Sequence, residues 1–167
     1  EMVLARVNKE LVAKIQTLGI KAAGISGKDG GLLTVEKKFS GSEDIGFVGD
    51  VTEVDTKILE DLLEKDFLPV VFPVGIDKDG VTYNINADEA ASSIATALRA
   101  EKLAYLSDVE GVRLDPEDPE SVISELYTNE AQDLIEQGVI SGGMLPKIEN
   151  CIDAINKGVS RVHIMDG

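Results

Sequence analysis

Tryptophan is absent and aromatic residues make up only 4% of the 167-residue chain. That leaves little for stacking on nucleic-acid bases. Basic residues are also scarce, 16 against 31 acidic ones for a net charge of −15, and a phosphate backbone calls for basic surface, so nucleic acid is excluded as a partner. The one cysteine, Cys151, rules out an internal disulfide framework and fits a reducing compartment, the cytoplasm. With a single histidine, His163, it cannot supply the usual zinc ligand set, and no metal-ligating residues are expected. Long hydrophobic runs are missing too. The most apolar stretch, FLPVVFPVGI (67–76), is short and holds two prolines, so no membrane helix is expected.

What remains is a chain with 43% hydrophobic residues, enough for one ordinary domain or two small lobes. It opens in a helical pattern, with Val3, Leu4, Val7, Leu11, Ile15 and Leu18 at helical spacing, and that helix stops at Gly19. No cap or signal-peptide pattern precedes it, and RVHIMDG closes the chain as a strand. These ends are expected for a piece of a longer protein.

IKAAGIS reads as a short strand entering the turn SGKDGG (26–31), which is neither a Walker nor a dinucleotide loop. LLTVEKK and IGFVGDVTEV read as strands of a hairpin or ribbon, and 56–65 as a helix capped by Asp55. LPVVFPVGI reads as one buried strand, DKDG (77–80) as a turn and VTYNI as the strand returning from it. Helices are predicted over 87–100, 129–137 and from the glycine loop SGGMLPK to Lys157, with a strand at KLAYLSD. Strands alternating with helices predict an α/β fold with a mainly parallel sheet covered on both faces.

Three constellations could carry chemistry. In YNINADEAA, residues Asn84, Asn86 and Asp88 alternate with Ile85 and Ala87, so a strand would point all three the same way. Capping of the following helix explains one of them, Asn86 or Asp88, but a helix has a single N-cap position. In YLSDVEGV, an apolar strand ends at Ser107 and Asp108, and ligands of open α/β sheets sit at the carboxyl ends of strands. A plain strand-to-loop turn would look the same. In VISGGMLPK, Gly142 and Gly143 let amides approach an anion at a helix N-terminus, where Pro146 is harmless. Lys147 stands there against the helix dipole, which points to an anionic partner. The alternative is an ordinary glycine loop with a solvated lysine.

Taken together and in order, EMVLARVNKELV, GISGKDGGLL, GFVGDVTEV, LPVVFPVG, YNINADEAA, EKLAYLSDVEGV and ISGGMLPKIENCIDAINKGVSRVHIMDG resemble the acetylglutamate kinases, the arginine-biosynthesis branch of the amino-acid kinase family. The resemblance implies a three-layer α/β/α sandwich and transfer of a phosphoryl group from ATP, with Mg2+, to the side-chain carboxylate of N-acetyl-L-glutamate. It implies that Lys147 neutralises the transferring group, that Asp88 orients lysines, and that Asn84 and Asn86 bind acetylglutamate. Asp108, Val109, Glu110, Gly111, Val112 and Arg113, with Val139, Ile140, Ser141 and Gly143, match the nucleotide-binding segments. Residues 1–100 would be the remainder of the acetylglutamate lobe and 101–167 the nucleotide lobe. A homo-oligomer is implied, and SGGM resembles the arginine-inhibited, hexameric branch. The family's Lys-x-Gly-Gly motif, His-Gly-Gly-Gly loop and substrate-binding arginine do not occur in these 167 residues, so the chain alone is expected to be inactive. A glutamate 5-kinase or a non-catalytic nucleotide- or metabolite-binding module is the alternative.

Overall fold

The computed structural model describes residues 2–108, 111–115 and 118–167. The chain divides into two compact units, Glu1–Ala97 and Leu98–Gly167.

The first unit begins with α1 (Met2–Thr17), followed by β1 (Ala22–Ser26) and a hairpin of β2 (Leu33–Ser40) and β3 (Glu43–Val54). Then come α2 (Lys57–Glu64), β4 (Leu68–Phe72), β5 (Val74–Ile76), β6 (Thr82–Asn84) and α3 (Ala87–Ala97). Strands β1 and β4 pair in parallel from Ala22↔Leu68 to Ser26↔Phe72. Strands β2, β3, β6 and β5 close on one another as a small barrel. Leu32, Leu33 and Ile85 are fully buried, and Val35, Val74 and Tyr83 nearly so.

Three sequence expectations change here. LPVVFPVGI is two strands in two different sheets, and β4 is only half-buried except for exposed Leu68. The break falls at Pro73, which has no amide to give to a ladder. Its carbonyl accepts from the Ile85 amide instead, at 3.0 Å. Helix α1 is also rotated from the expected face. Val3, Val7, Leu11 and Leu18 are exposed, while Asn8 and Val12 are buried. The cause is specific: Asn8 Nδ2 donates to the Val70 carbonyl at 2.7 Å. Its side chain lies over Gly24, where a Cβ would stand 2.0 Å from Asn8 Oδ1. The hydrogen bond and the glycine recess together draw a polar residue inward. Helix α3 stops three residues before the expected end, and Arg99 just beyond it has φ +51°.

The second unit holds β7 (Lys102–Ser107), α4 (Thr128–Glu136), α5 (Met144–Asn156) and β8 (Arg161–Asp166). Strands β7 and β8 pair in parallel from Lys102↔Arg161 to Ser107↔Asp166. Val112, Ala131, Ile140 and Ile148 form its core, with Leu134, Ile152 and Ile164 packed around them. Helix α4 ends as the glycine predicts: Gly138 takes φ +76°, its amide donates to Ile135, and the Val139 amide donates to Leu134. Among the described residues no helix is long and apolar enough to cross a membrane.

Candidate functional site

In the first unit the polar row is built from three kinds of backbone. Asn84 ends β6, where it pairs with Val74 of β5 and Val48 of β3. Tyr83 and Ile85 point into the core, so Asn84 and Asn86 emerge on the exposed side, as alternation predicts. Asn86 is the N-cap of α3. Its carbonyl accepts from Ala90 at 2.9 Å, and its Oδ1 accepts from the Asp88 and Glu89 amides at 2.9 and 3.2 Å. Asp88 therefore sits on the helix and not on a strand, which corrects the single-row reading. The cap turns the chain between them. Asp88 and Glu89 put negative charge at the positive end of the helix dipole, a favourable place for carboxylates.

Sequence reasoning missed what Glu89 does. Its Oε1 accepts from the Val51 amide at 2.9 Å, and its Oε2 lies 3.7 Å from Lys38 Nζ. Lys38 also pairs with Asp50. The hydrogen bond it donates to Asp50, with the nearby charge of Glu89, holds the Lys38 ammonium above its ordinary pKa against a smaller opposing effect of burial. One salt-bridged triad thus ties the β2–β3 hairpin to the first turn of α3, beside Asn86. The partners are up to 51 positions apart in sequence, and no local pattern signals them.

In the second unit, Asp108 follows the carboxyl end of β7, and its Oδ1 accepts from Ser107 Oγ at 3.3 Å. Val109 and Glu110 lie outside the described residues. Val112 is buried in the core, and its carbonyl accepts from Ile123 at 2.8 Å. Arg113 bridges to Val122. The Val139 and Ile140 amides both donate to the Leu134 carbonyl, and the Ile140 side chain is in the core. Ser141, Gly142 and Gly143 are exposed, with Gly142 at φ +58°, a conformation that suits glycine. Gly143 is the N-cap of α5 and offers no side chain to the first amides, and the first turn carries no acid. Lys147, half-buried, is the fourth residue of that helix and lies 5.2 Å over the ring centroid of buried Tyr105. A cation this close to a helix N-terminus costs about 0.3–1 kcal/mol. A ring face returns about as much.

Residues 2–166 match the model of the amino acid kinase family. The chain belongs to the amino acid kinase family. Among curated proteins it is similar to the acetylglutamate kinase of Desulforamulus reducens, 51% identical over the whole chain and 58% of that protein. It is also similar to the acetylglutamate kinase of Campylobacter jejuni subsp. doylei, 52% identical over 99% of the chain and again 58% of the relative. The chain thus spans less than two thirds of the length of these relatives. Among solved structures, smu.665 of Streptococcus mutans superposes with a TM-score of 0.85 at 31% identity, covering 98% of this chain and 64% of that one. The α/β sandwich of this family is the fold class the sequence predicts. No group of three or more His, Cys, Asp or Glu side chains is placed to hold a metal among the described residues.

Proposed function

We propose that the complete protein transfers the γ-phosphoryl group of ATP to the side-chain carboxylate of N-acetyl-L-glutamate, a step of arginine biosynthesis. The observation that carries this reading is identity near 50% with acetylglutamate kinases along the entire chain. A carboxylate is ionised at neutral pH and attacks without a general base. Its oxygen forms the new bond to phosphorus as the bond to the bridging oxygen of ADP breaks, and no proton moves. The difficulty is the meeting of two anions, and the remedy is fixed donors and cations.

The residues suit these roles. Asn84 and Asn86 offer neutral donors and acceptors to the amide and carboxylates of acetylglutamate. Lys147 is the cation for the transferring group, and Asp88 is a carboxylate that orients lysines. The 108–113 segment and Val139, Ile140, Ser141 and Gly143 take the nucleotide. The side chains of Val112 and Ile140 are in the core and the Val139 and Ile140 amides already donate to Leu134, so these three residues serve by shaping the loops. Magnesium would arrive on the ATP phosphates rather than in a protein cage, as is usual for this ion. Residues 1–100 then belong to the acetylglutamate lobe and 101–167 to the nucleotide lobe of a cytoplasmic homo-oligomer.

Trapping the acyl phosphate with hydroxylamine tests the proposal. The complete gene product should form hydroxamate from ATP and N-acetyl-L-glutamate, and far less from free glutamate. A preference for free glutamate would make it a glutamate 5-kinase, and no product from either acceptor would make it a binding module.

A further inference from the structure

We propose that the buried ring of Tyr105 is the positioning surface for Lys147, holding its ammonium at a fixed reach ahead of phosphoryl transfer. The inference rests on the kinase reading of Lys147 and adds a residue that no local motif identified. Tyr105 is 4% exposed, on β7, in register with Ile164 of β8. Ile164 packs against the core cluster that contains Ile148, the neighbour of Lys147 on α5. The ring is therefore fixed from below by the same core that fixes the helix, and the ammonium lies over its face, 5.2 Å from the centroid. Two residues further along β7, the strand reaches Ser107 and Asp108, where the nucleotide is placed by the proposed function. One strand thus sets both the loop and the resting place of the cation.

The physical reason concerns how a cation is kept ready. A flexible four-carbon stem can place its charge in many positions, and only a few serve transfer. A ring quadrupole attracts the charge without a directed acceptor, so phosphate oxygens can draw the ammonium onward. The role proposed belongs to the ring face, which the ammonium overlies.

Two measurements test the inference. In the 167-residue chain, NMR should show the Lys147 side-chain methylenes shifted upfield by the ring current. The shift should persist in Tyr105→Phe and disappear in Tyr105→Leu. In the complete gene product, Tyr105→Leu should lower kcat about three- to tenfold, with the KM for ATP within about twofold, as expected for loss of transition-state positioning. Tyr105→Phe should retain kcat. Absence of the upfield shift in the unaltered chain overturns the inference, whether or not the leucine variant folds. So does an unchanged kcat in Tyr105→Leu, or a Tyr105→Phe variant as impaired as the leucine one. Lys147→Ala separates this from the underlying reading. It should lower kcat by on the order of a hundredfold or more. If it does not, the role of Lys147 itself fails; if it does while Tyr105→Leu is silent, only the ring's role fails.

Discussion

Asn84 is the member of the polar row whose side chain is not needed for the local fold. Asn86 is committed to capping α3 through two amides, whereas Asn84 enters its sheet through the backbone pairing with Val74 and Val48. Asn84→Ala should therefore leave stability nearly unchanged and raise the KM for acetylglutamate. Losing one neutral hydrogen bond corresponds to about 1 kcal/mol, roughly a fivefold rise. Initial-rate kinetics decide it, and a rise in the KM for ATP instead would place the residue on the other substrate. Asp77 gives a pH prediction. Its loss of hydration favours the neutral acid, but the amides of Val81 and Asp79 and the Tyr83 hydroxyl outweigh that and hold its pKa below the ordinary value. A carboxylate of this kind stabilises the fold above its unfolded pKa, and that contribution disappears as pH falls through the lower folded value. Melting curves between pH 6 and 3 should show Asp77→Asn losing less stability over that descent than the unaltered protein. An equal loss in both would remove Asp77 from the acid transition.

At the scale of elements, α1 is the informative case. Its helical character was legible from spacing, but its buried face was not, because Asn8 is selected by Val70 and Gly24, which lie elsewhere in the chain. A side chain at position 24 meets Asn8 Oδ1 at 2.0 Å. Gly24→Ala should destabilise the first unit by about 1–3 kcal/mol, the usual cost of overpacking. Truncating Asn8 in the same chain should recover part of that loss, so urea midpoints of the two single variants and the double variant should be non-additive. Strict additivity would show that the two residues do not meet. Signals confined to a few residues were readable: Gly19 and Gly138 as helix stops, Asp55 ahead of α2, and an asparagine or aspartate ahead of α3. Asp55 does accept from the Lys57 amide, at 3.0 Å. The Lys38–Asp50–Glu89 triad and the ring beneath Lys147 were not readable, since each depends on pairing between strands and helices distant in sequence. The alternation that correctly exposed Asn84 and Asn86 also overreached by one residue pair, because period-two logic cannot see where a cap bends the backbone.

For the molecule as a whole, the charge of −15 is a standing self-repulsion. The exposed pairs Arg6–Glu10, Lys57–Asp61 and Lys157–Asp153 offset little of it, as solvent-exposed pairs seldom contribute much. Raising ionic strength from about 0.02 to 0.2 M shortens the screening length severalfold. The melting temperature should therefore rise by a few degrees with sodium chloride, and a fall would mean that the attractive pairs dominate. Repulsion of this kind also keeps unfolded copies apart, but it does not protect a hydrophobic window directly. The break at Pro73 does. A newly made or heat-opened chain displays FLPVVFPVGI, the segment best suited to stacking with its own kind. Pro69 and Pro73 deny it two amides and the straight backbone that a fibril ladder needs. The kink that sends β4 and β5 into different sheets is thus also a safeguard against amyloid-like assembly, active before either sheet exists.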